Sequence, residues 1–292
     1  MSNAVLTMQP NHSSVDITDP TTKLLHRLRT ERLLLSNRLV LMVDLDHTLL
    51  HTSTKDVANI DCKEDMIRWR WNELSEWRIT KIRPYTDQFL KNISQLYELR
   101  ICTMAGSLYA NQMAKLLDKD HFLFGNRIHS RDDLPDNSRS KKGHLTNLFP
   151  CDDDMVVIID DRKDVWDSPP NLIRVKRYYY FTRDSDNKIV VPTVDDDDHL
   201  IYLEHLLRRI HSDFFTAVAD YRRVNDRSVP VPNTKSVVAK IKGLTRRKKR
   251  RQQLKSRSSV WILLTVDLTC IFILFFIYVP WYTCWKFEWI SF

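Results

Sequence analysis

The chain has 292 residues, of which 43% are hydrophobic and 28% are charged, which is ordinary for a globular protein with one substantial core. Residues 235–259 hold eleven Lys/Arg and no Asp/Glu. Removing these eleven charges and the net −1 of residues 260–292 from the total of +8 leaves −2 for the first 234 residues. Because the basic charge is confined to one short segment, a basic nucleic-acid-binding body is excluded.

The N-terminal residues have no apolar core, so they do not form a signal peptide. We predict that residues 1–36 are a leader that is partly disordered. The five cysteines of the chain show no CxxC pair and no metal-ligand spacing. This pattern favours reduced thiols in a cytosolic or nuclear protein.

Residues 37–220 alternate strand-like and helix-like segments, and we assign them to one domain. The order β–α–β–α–α–β predicts an α/β fold, with a parallel sheet flanked by helices. A further helix is expected after this core. The predicted strands are Leu39–Val43, Leu99–Thr103 and Met155–Ile159, and the predicted helices are Thr86–Tyr97, Leu108–Leu117, Lys142–Leu148 and Leu200–Ala219.

An acidic run, Asp195–Asp198, directly precedes the last predicted helix. Acidic residues are favoured at helix N-termini because the helix macrodipole is positive there. We therefore prefer a structural role for this run over a metal site.

Polar residues stand where each of the three predicted strands ends. In open α/β sheets ligands bind beyond the carboxyl ends of the strands, so we expect these residues to share one site. Four converging carboxylates need a hard cation, and Mg²⁺ prefers oxygen ligands. The residues are Asp44, Asp46 and Thr48 after the first strand, Thr103 at the end of the second, Asp160 and Asp161 after the third, and Lys141 and Lys142 ahead of the third.

These residue types suit phosphoryl transfer. One aspartate can attack phosphorus and form an aspartyl-phosphate. A second carboxylate can protonate the leaving oxygen and then activate water. A hydroxyl and a lysine can hold the phosphoryl oxygens as charge develops. Asp44 and Asp46 are two residues apart, which lets both carboxylates reach one site as the strand opens into a loop.

The stretch DLDHTLLH at residues 44–51 resembles the DxDxT signature of the haloacid-dehalogenase-like phosphatases. More narrowly, the chain resembles the carboxy-terminal-domain phosphatases of RNA polymerase II. IRPYTDQFL, LYA, FGNRIHSRDD and PNLIRVKRYYYF also carry this resemblance, which covers Leu39 to Phe181. The stretch LFPC followed by IIDDRKDVW resembles the larger branch, which is associated with transcription factor IIF.

The resemblance implies a Rossmann-like, haloacid-dehalogenase-type sheet and a Mg²⁺-dependent serine/threonine phosphatase. Its default substrate is the phosphorylated C-terminal domain of RNA polymerase II. The implied roles are Asp44 as nucleophile and metal ligand, Asp46 as acid/base and as a metal ligand through its main-chain carbonyl, Thr48 and Thr103 as phosphoryl contacts, Lys141 or Lys142 as the phosphate-binding lysine, and Asp160 and Asp161 at the metal.

Two details of the motifs stay open. Lys141 and Lys142 both fit the lysine position, and Lys141 is favoured because SKKGHL resembles an SKxGxL form. The family tends to have an arginine where this chain has Ser107, which affects substrate contacts rather than the chemical step. His47, Arg162 and Trp166 belong to the motifs, but no chemical step requires them, so we assign them structural roles.

The C-terminal part predicts a membrane anchor. Val260–Val279 is twenty residues long with one charge, Asp267, which is enough to cross a hydrocarbon core of about 30 Å. The alternative is a buried core helix. We predict a basic linker at 221–259, a transmembrane helix at 260–280 and a short tail at 281–292. The basic run before the span orients the body towards cytosol or nucleoplasm.

The expected location is therefore the nucleus, or the nuclear-envelope or endoplasmic-reticulum membrane. The expected partners are a phosphorylated Ser/Thr peptide or protein and, through residues 260–280, a membrane, with no direct nucleic acid. Two alternatives remain: a membrane-anchored phosphatase for another phosphoprotein, and an inactive scaffold that binds phosphopeptides.

Overall fold

The structure is a computed structural model that describes residues 18–53, 60, 62, 65–134, 139–183, 185–186, 188–224, 230–247 and 250. The chain divides into two units, residues 1–239 and 240–292. In the second unit, residues 240–247 and 250 are helical. The predicted transmembrane helix at 260–280 and the tail at 281–292 lie outside the described residues. Within the described part of the chain, no helix is long and apolar enough to cross a membrane.

The first unit contains an α/β fold. Short 3₁₀ turns lie at Arg131–Asp133 and Asp164–Trp166. Its other elements include, in chain order, α1 (Pro20–Leu35), β1 (Leu39–Val43), β2 (Leu50–Ser53), β3 (Met66–Trp69), β4 (Arg78–Ile82), α2 (Thr86–Ser94), β5 (Tyr97–Cys102), α3 (Ser107–Leu117), β6 (Ile128–His129), α4 (Lys142–Leu148), β7 (Val156–Asp160), β8 (Leu172–Arg174), β9 (Thr182–Arg183), β10 (Ile189–Val190) and α5 (His199–Val224).

A parallel sheet of strand order β6-β5-β1-β7-β8 forms the centre of this unit. Strand β1 is buried along its whole length, because it pairs in parallel with β5 on one side and with β7 on the other. Its continuous apolar sequence suits a strand covered on both faces. The predicted parallel α/β sheet is therefore confirmed.

Strand β7 ends one residue later than predicted. Asp160 is its last residue and pairs with Arg174 of β8, so this carboxylate is held by the sheet rather than by the following loop. The side chain of Asp160 is almost fully buried. Because Asp160 is part of the sheet, the pairing of β7 with β8 fixes the position of its carboxylate at the carboxyl end of the strand.

Helix α1 lies within the residues that we assigned to a leader. Pro20 stands at its first turn and the Asp19 side chain accepts a hydrogen bond from the Thr22 N–H at 2.8 Å, which is a strong start signal. An ion pair between Arg32 and Glu98, with Nη2 2.5 Å from Oε2, connects the helix to β5. The helix buries little apolar surface, and this explains why hydrophobic periodicity did not reveal it.

A small antiparallel sheet of strand order β2-β4-β3 lies in the chain between β1 and α2. The sequence analysis did not predict it, because its strands are short and lie among polar residues. An apolar cluster joins this sheet to the segment after β8. The cluster consists of Met66, Ile79, Tyr178, Tyr180 and Phe181.

The acidic run Asp195–Asp198 directly precedes α5, as predicted. Asp197 accepts a hydrogen bond from the His199 N–H at 3.3 Å and pairs with Arg83, whose Nε lies 2.7 Å from Oδ1. Arg83 is buried, and its Nη1 donates to the Thr48 carbonyl at 2.9 Å. This arginine therefore ties the loop after β1 to the start of α5.

We expect Arg83→Ala to lower the free energy of unfolding by about 3 kcal/mol, because it leaves the Asp197 carboxylate without its buried partner. Urea denaturation of the full chain, followed by tryptophan fluorescence, measures the change. Lys91→Ala is the control, since its pair with Asp87 is exposed and contributes about 0.5 kcal/mol or less. Equal losses in the two variants would contradict this account.

Candidate active site

A pocket of about 370 Å³ lies at the carboxyl ends of β1, β5 and β7. This is the edge of the sheet at which the sequence predicted a site. Most of the predicted site residues line the pocket. The lining residues are Asp44, Asp46, His47, Thr103, Met104, Ala105, Lys141, Asp160, Asp161, Arg162, Val165 and Arg177.

The Lys141 ammonium joins two carboxylates from neighbouring strands. Its Nζ lies 2.6 Å from Asp44 Oδ1 and 2.6 Å from Asp160 Oδ2. All three side chains are almost fully buried. Burial alone would lower the pKa of Lys141, but the two carboxylates raise it above its ordinary value, so the amine stays charged.

Asp44 follows β1 directly, and its main-chain N–H donates to the Ile159 carbonyl at 3.1 Å. Its Oδ2 accepts a hydrogen bond from Thr48 Oγ1 at 2.9 Å. Burial raises the pKa of the Asp44 carboxyl to about 7, and Lys141 opposes this shift. Thr48 is fully buried, and its hydroxyl contacts Asp44 instead of lining the pocket.

Carboxylate oxygens of Asp44, Asp160 and Asp161 lie within 4.8 Å of one another. Hydrogen bonds already hold Asp160, whose Oδ2 accepts from Trp166 Nε1 at 2.7 Å and whose Oδ1 accepts from the Arg162 N–H at 2.7 Å. Asp161 differs, because its Oδ2 is buried and accepts no hydrogen bond within the described residues. This cluster thus retains capacity to bind a cation.

Arg177 also approaches Asp161, with its Nε 2.5 Å from Oδ2. This contact meets the distance of an ion pair but not the angle of a hydrogen bond. Arg177 therefore adds positive charge to the pocket wall. Burial raises the pKa of the Asp161 carboxyl, chiefly opposed by this arginine.

The carboxylate of Asp46 stands apart from the acidic cluster. The Tyr109 hydroxyl donates to its Oδ1 at 2.5 Å. Tyr109 Oη also lies 2.8 Å from Thr52 Oγ1, which in turn lies 2.8 Å from Thr80 Oγ1. Burial raises the pKa of Asp46, and the hydrogen bond from the Tyr109 hydroxyl opposes this shift.

Of the two remaining predicted residues, Thr103 lines the pocket and Lys142 does not. Thr103 follows β5 and lines the pocket, where its Oγ1 accepts a hydrogen bond from the Ala105 N–H at 3.1 Å. Lys142 points away from the pocket. Its Nζ lies 3.1 Å from Asp167 Oδ2, and 63% of its side chain is exposed.

Several contacts were not predicted from the sequence. Arg177 lies in the PNLIRVKRYYYF stretch that carries the resemblance, but the sequence analysis assigned it no role, because only the three-dimensional path of the chain brings it to Asp161. Trp166 was assigned a structural role, yet its indole donates directly to Asp160. His47 has a φ of 61°, and its Nδ1 lies 2.9 Å from the Tyr178 carbonyl. This left-handed turn lets the loop after Asp46 fold back onto the segment after β8.

Fold and site together define the class of the haloacid-dehalogenase-like phosphatases: a parallel sheet with a DxDxT loop, a buried lysine and an acidic pair at its strand ends. The chain belongs to the family of NLI interacting factor-like phosphatases, whose model matches residues 39–215.

Comparison with known proteins places phosphatases of the RNA polymerase II C-terminal domain among its relatives. The human protein is 41% identical over 181 residues, which are 62% of this chain and 19% of that protein. The Caenorhabditis elegans protein is 40% identical over 197 residues, or 63% of this chain and 30% of that protein. The chain therefore spans less than a third of the length of these relatives.

A solved structure shares the fold. It is a point variant of the fission yeast RNA polymerase II C-terminal-domain phosphatase Fcp1, bound to beryllium fluoride. It matches with a TM-score of 0.62 and 28% identity, and the match covers 73% of each chain.

We expect Lys141→Ala to lower phosphatase activity by at least about a hundredfold, because it removes the charge between Asp44 and Asp160. Lys142→Ala is the matched control and should keep wild-type activity, since its ammonium faces Asp167 at the surface. Hydrolysis of p-nitrophenyl phosphate by the two full-length variants measures both effects. Loss of activity in Lys142→Ala alone would show that the wrong lysine has been assigned to the site.

Proposed function

We propose that this protein is a Mg²⁺-dependent protein serine/threonine phosphatase that forms an aspartyl-phosphate on Asp44. The observation that carries the proposal is the convergence of Asp44, Asp160 and Asp161 beside the buried ammonium of Lys141. Buried carboxylates at this density are costly unless a ligand or a cation compensates them. A phosphorylated substrate with its metal ion supplies that compensation.

In the first step, a carboxylate oxygen of Asp44 attacks phosphorus, and the bond between phosphorus and the serine or threonine oxygen breaks. Asp46 gives its proton to the leaving oxygen. The burial of Asp46 and one contact support this assignment. Burial favours its protonated form, and the Tyr109 hydroxyl fixes its orientation.

In the second step, Asp46 accepts a proton from water, and the water oxygen attacks the phosphorus of the aspartyl-phosphate. The acyl-phosphate bond breaks, which releases inorganic phosphate and restores the Asp44 carboxylate. Lys141 and Thr103 lie on the pocket wall, where they can contact the phosphoryl oxygens as charge develops. Arg177 adds a further positive charge on the same wall.

The acidic cluster fits Mg²⁺, which prefers oxygen ligands. Asp161 Oδ2 accepts no hydrogen bond from the described chain, and its ion-pair partner is the half-exposed Arg177, which a metal ion would have to displace from this oxygen. Asp44 and Asp161 would supply carboxylate ligands, Asp160 would support them, and the main-chain carbonyl of Asp46 is the remaining candidate. When bound, Mg²⁺ would polarise the phosphoryl group and offset its negative charge.

The proposed substrate is a phosphoserine or phosphothreonine peptide, by default the C-terminal domain of RNA polymerase II. The support is the similarity of 62–63% of the chain to relatives that are named for that substrate. The alternative of an inactive phosphopeptide-binding scaffold lacks support from the site, because every group that the two steps require lines the pocket or contacts a residue that does.

We also propose that the apolar segment 260–280 anchors the protein in the nuclear envelope or endoplasmic reticulum, with the catalytic unit facing nucleoplasm or cytosol. The basic run before the segment supports this orientation. An enzyme anchored in this way would act on a phosphoprotein that lies close to the same membrane. Alkaline extraction of membranes from cells that express the full chain tests the anchor, and release of the protein would contradict it.

The function itself is tested with the full chain and p-nitrophenyl phosphate. We expect Asp44→Asn to lower the rate by about a thousandfold or more, because it removes the nucleophile. Chelation of Mg²⁺ should abolish the wild-type rate, and added Mg²⁺ should restore it.

Asp167→Asn is the control for the loss of a carboxylate, since Asp167 is exposed and lies outside the pocket. Wild-type turnover without a divalent cation, or full activity in Asp44→Asn, would contradict the proposed mechanism.

A further inference from the structure

A second groove, of about 440 Å³, opens beside the active-site pocket. The two share Asp46 and Ala105 on their walls, so one extended peptide can enter both. Because Asp46 is the proposed acid/base, the groove lies on the side of the pocket from which the substrate chain would leave. The other lining residues include Trp71, Arg78, Gly106, Tyr109 and Arg131.

Arg78 brings a positive charge to this groove. Its Nε is buried and has no hydrogen-bond partner among the described residues. Within the described part of the chain, no carboxylate forms an ion pair with its guanidinium. The guanidinium carbon lies 5.8 Å from the Trp69 ring centroid and 5.9 Å from that of Trp71, so two indoles hold it in place. A positioned cation without an anion indicates a site for an anionic ligand.

A second positive feature meets Arg78 at the groove. Gly106, the N-cap of α3, also lines the groove, but the Asp132 carboxylate already caps this helix end by accepting the Ser107 N–H. Arg131 lies on the same wall, and its side chain is 60% exposed. Its nearest acid in the described chain is Asp132, at 3.9 Å, which uses Oδ2 to accept the Ser107 N–H at 2.7 Å.

The negative charge in the groove is smaller than the positive charge. Asp46 is the one acid among the lining residues, and its carboxylate already accepts a hydrogen bond from the Tyr109 hydroxyl at 2.5 Å. Two guanidiniums and a single acid therefore line the groove, and Asp132 lies beside it at the start of α3. A phosphoryl dianion matches this arrangement, because arginine binds phosphate oxygens through parallel N–H groups.

We propose that the groove binds a second phosphoryl group on the same peptide, so that the enzyme prefers doubly phosphorylated over singly phosphorylated substrates. This inference rests on the proposed function, because the first phosphoryl group must lie at Asp44.

The test compares a peptide that carries one phosphoserine with the same peptide carrying a second phosphoserine at each successive position on either side. For the full chain, we expect kcat/KM to rise about tenfold at one spacing. Arg78→Gln and Arg131→Gln should each reduce the ratio of kcat/KM for the doubly and singly phosphorylated peptides towards 1. Arg131 is exposed, so its variant is not expected to disturb folding.

Arg70→Gln is the matched control and should keep the preference, since Arg70 is exposed, stacks on Trp77 at 4.6 Å and lies outside the groove. Equal kcat/KM for both peptides at every spacing, or a preference that survives both groove variants, would overturn the inference while leaving the phosphatase assignment intact.

Equilibrium binding separates this inference from the proposed function. Fluorescence anisotropy in Mg²⁺-free buffer measures the affinity of the full chain for both peptides. Tighter binding of the doubly phosphorylated peptide, lost in Arg78→Gln and Arg131→Gln, supports the groove even if the chain hydrolyses neither peptide. Equal affinities overturn the groove whether or not p-nitrophenyl phosphate is hydrolysed.

Discussion

The ammonium of Lys141 holds the site together, because it lies between two buried carboxylates that would otherwise repel each other. Asp44 follows β1 and Asp160 ends β7, so the lysine also joins two neighbouring strands across their carboxyl ends. A slip of one residue in the β1–β7 register would turn one of these side chains to the opposite face. The apolar burial of β1 fixes that register, and in this way the core of the sheet positions the chemistry.

The proposed acid/base depends on a different part of the fold. Tyr109, at the start of α3, holds Asp46, and hydrogen bonds continue from Tyr109 through Thr52 to Thr80 of the small antiparallel sheet. The same sheet supplies Arg78 and borders the second groove. The parallel sheet thus carries the proposed nucleophile and cation site, whereas the small sheet supports the proposed acid/base and borders the proposed second groove.

The parts of the site that local sequence dictates could be predicted. The apolar run before Asp44 and the acidic pair Asp160–Asp161 identified two strand ends, and parallel topology brought them together. The contact of Arg177 with Asp161 could not be predicted, because it depends on the path of the chain after β8. The unpaired state of the Arg78 Nε within the described residues also left no local signal, because it depends on the indoles of Trp69 in β3 and Trp71 just after it, and on the lack of a nearby acceptor.

The central claim is that phosphate passes through Asp44. The most direct measurement is to mix the full chain with substrate and Mg²⁺, quench rapidly with borohydride, and map the modified residue by mass spectrometry. Borohydride reduces an acyl phosphate to an alcohol, so the account predicts a reduced side chain at Asp44 that is absent without substrate. An unmodified Asp44 during turnover, or reduction at another carboxylate, would contradict the account.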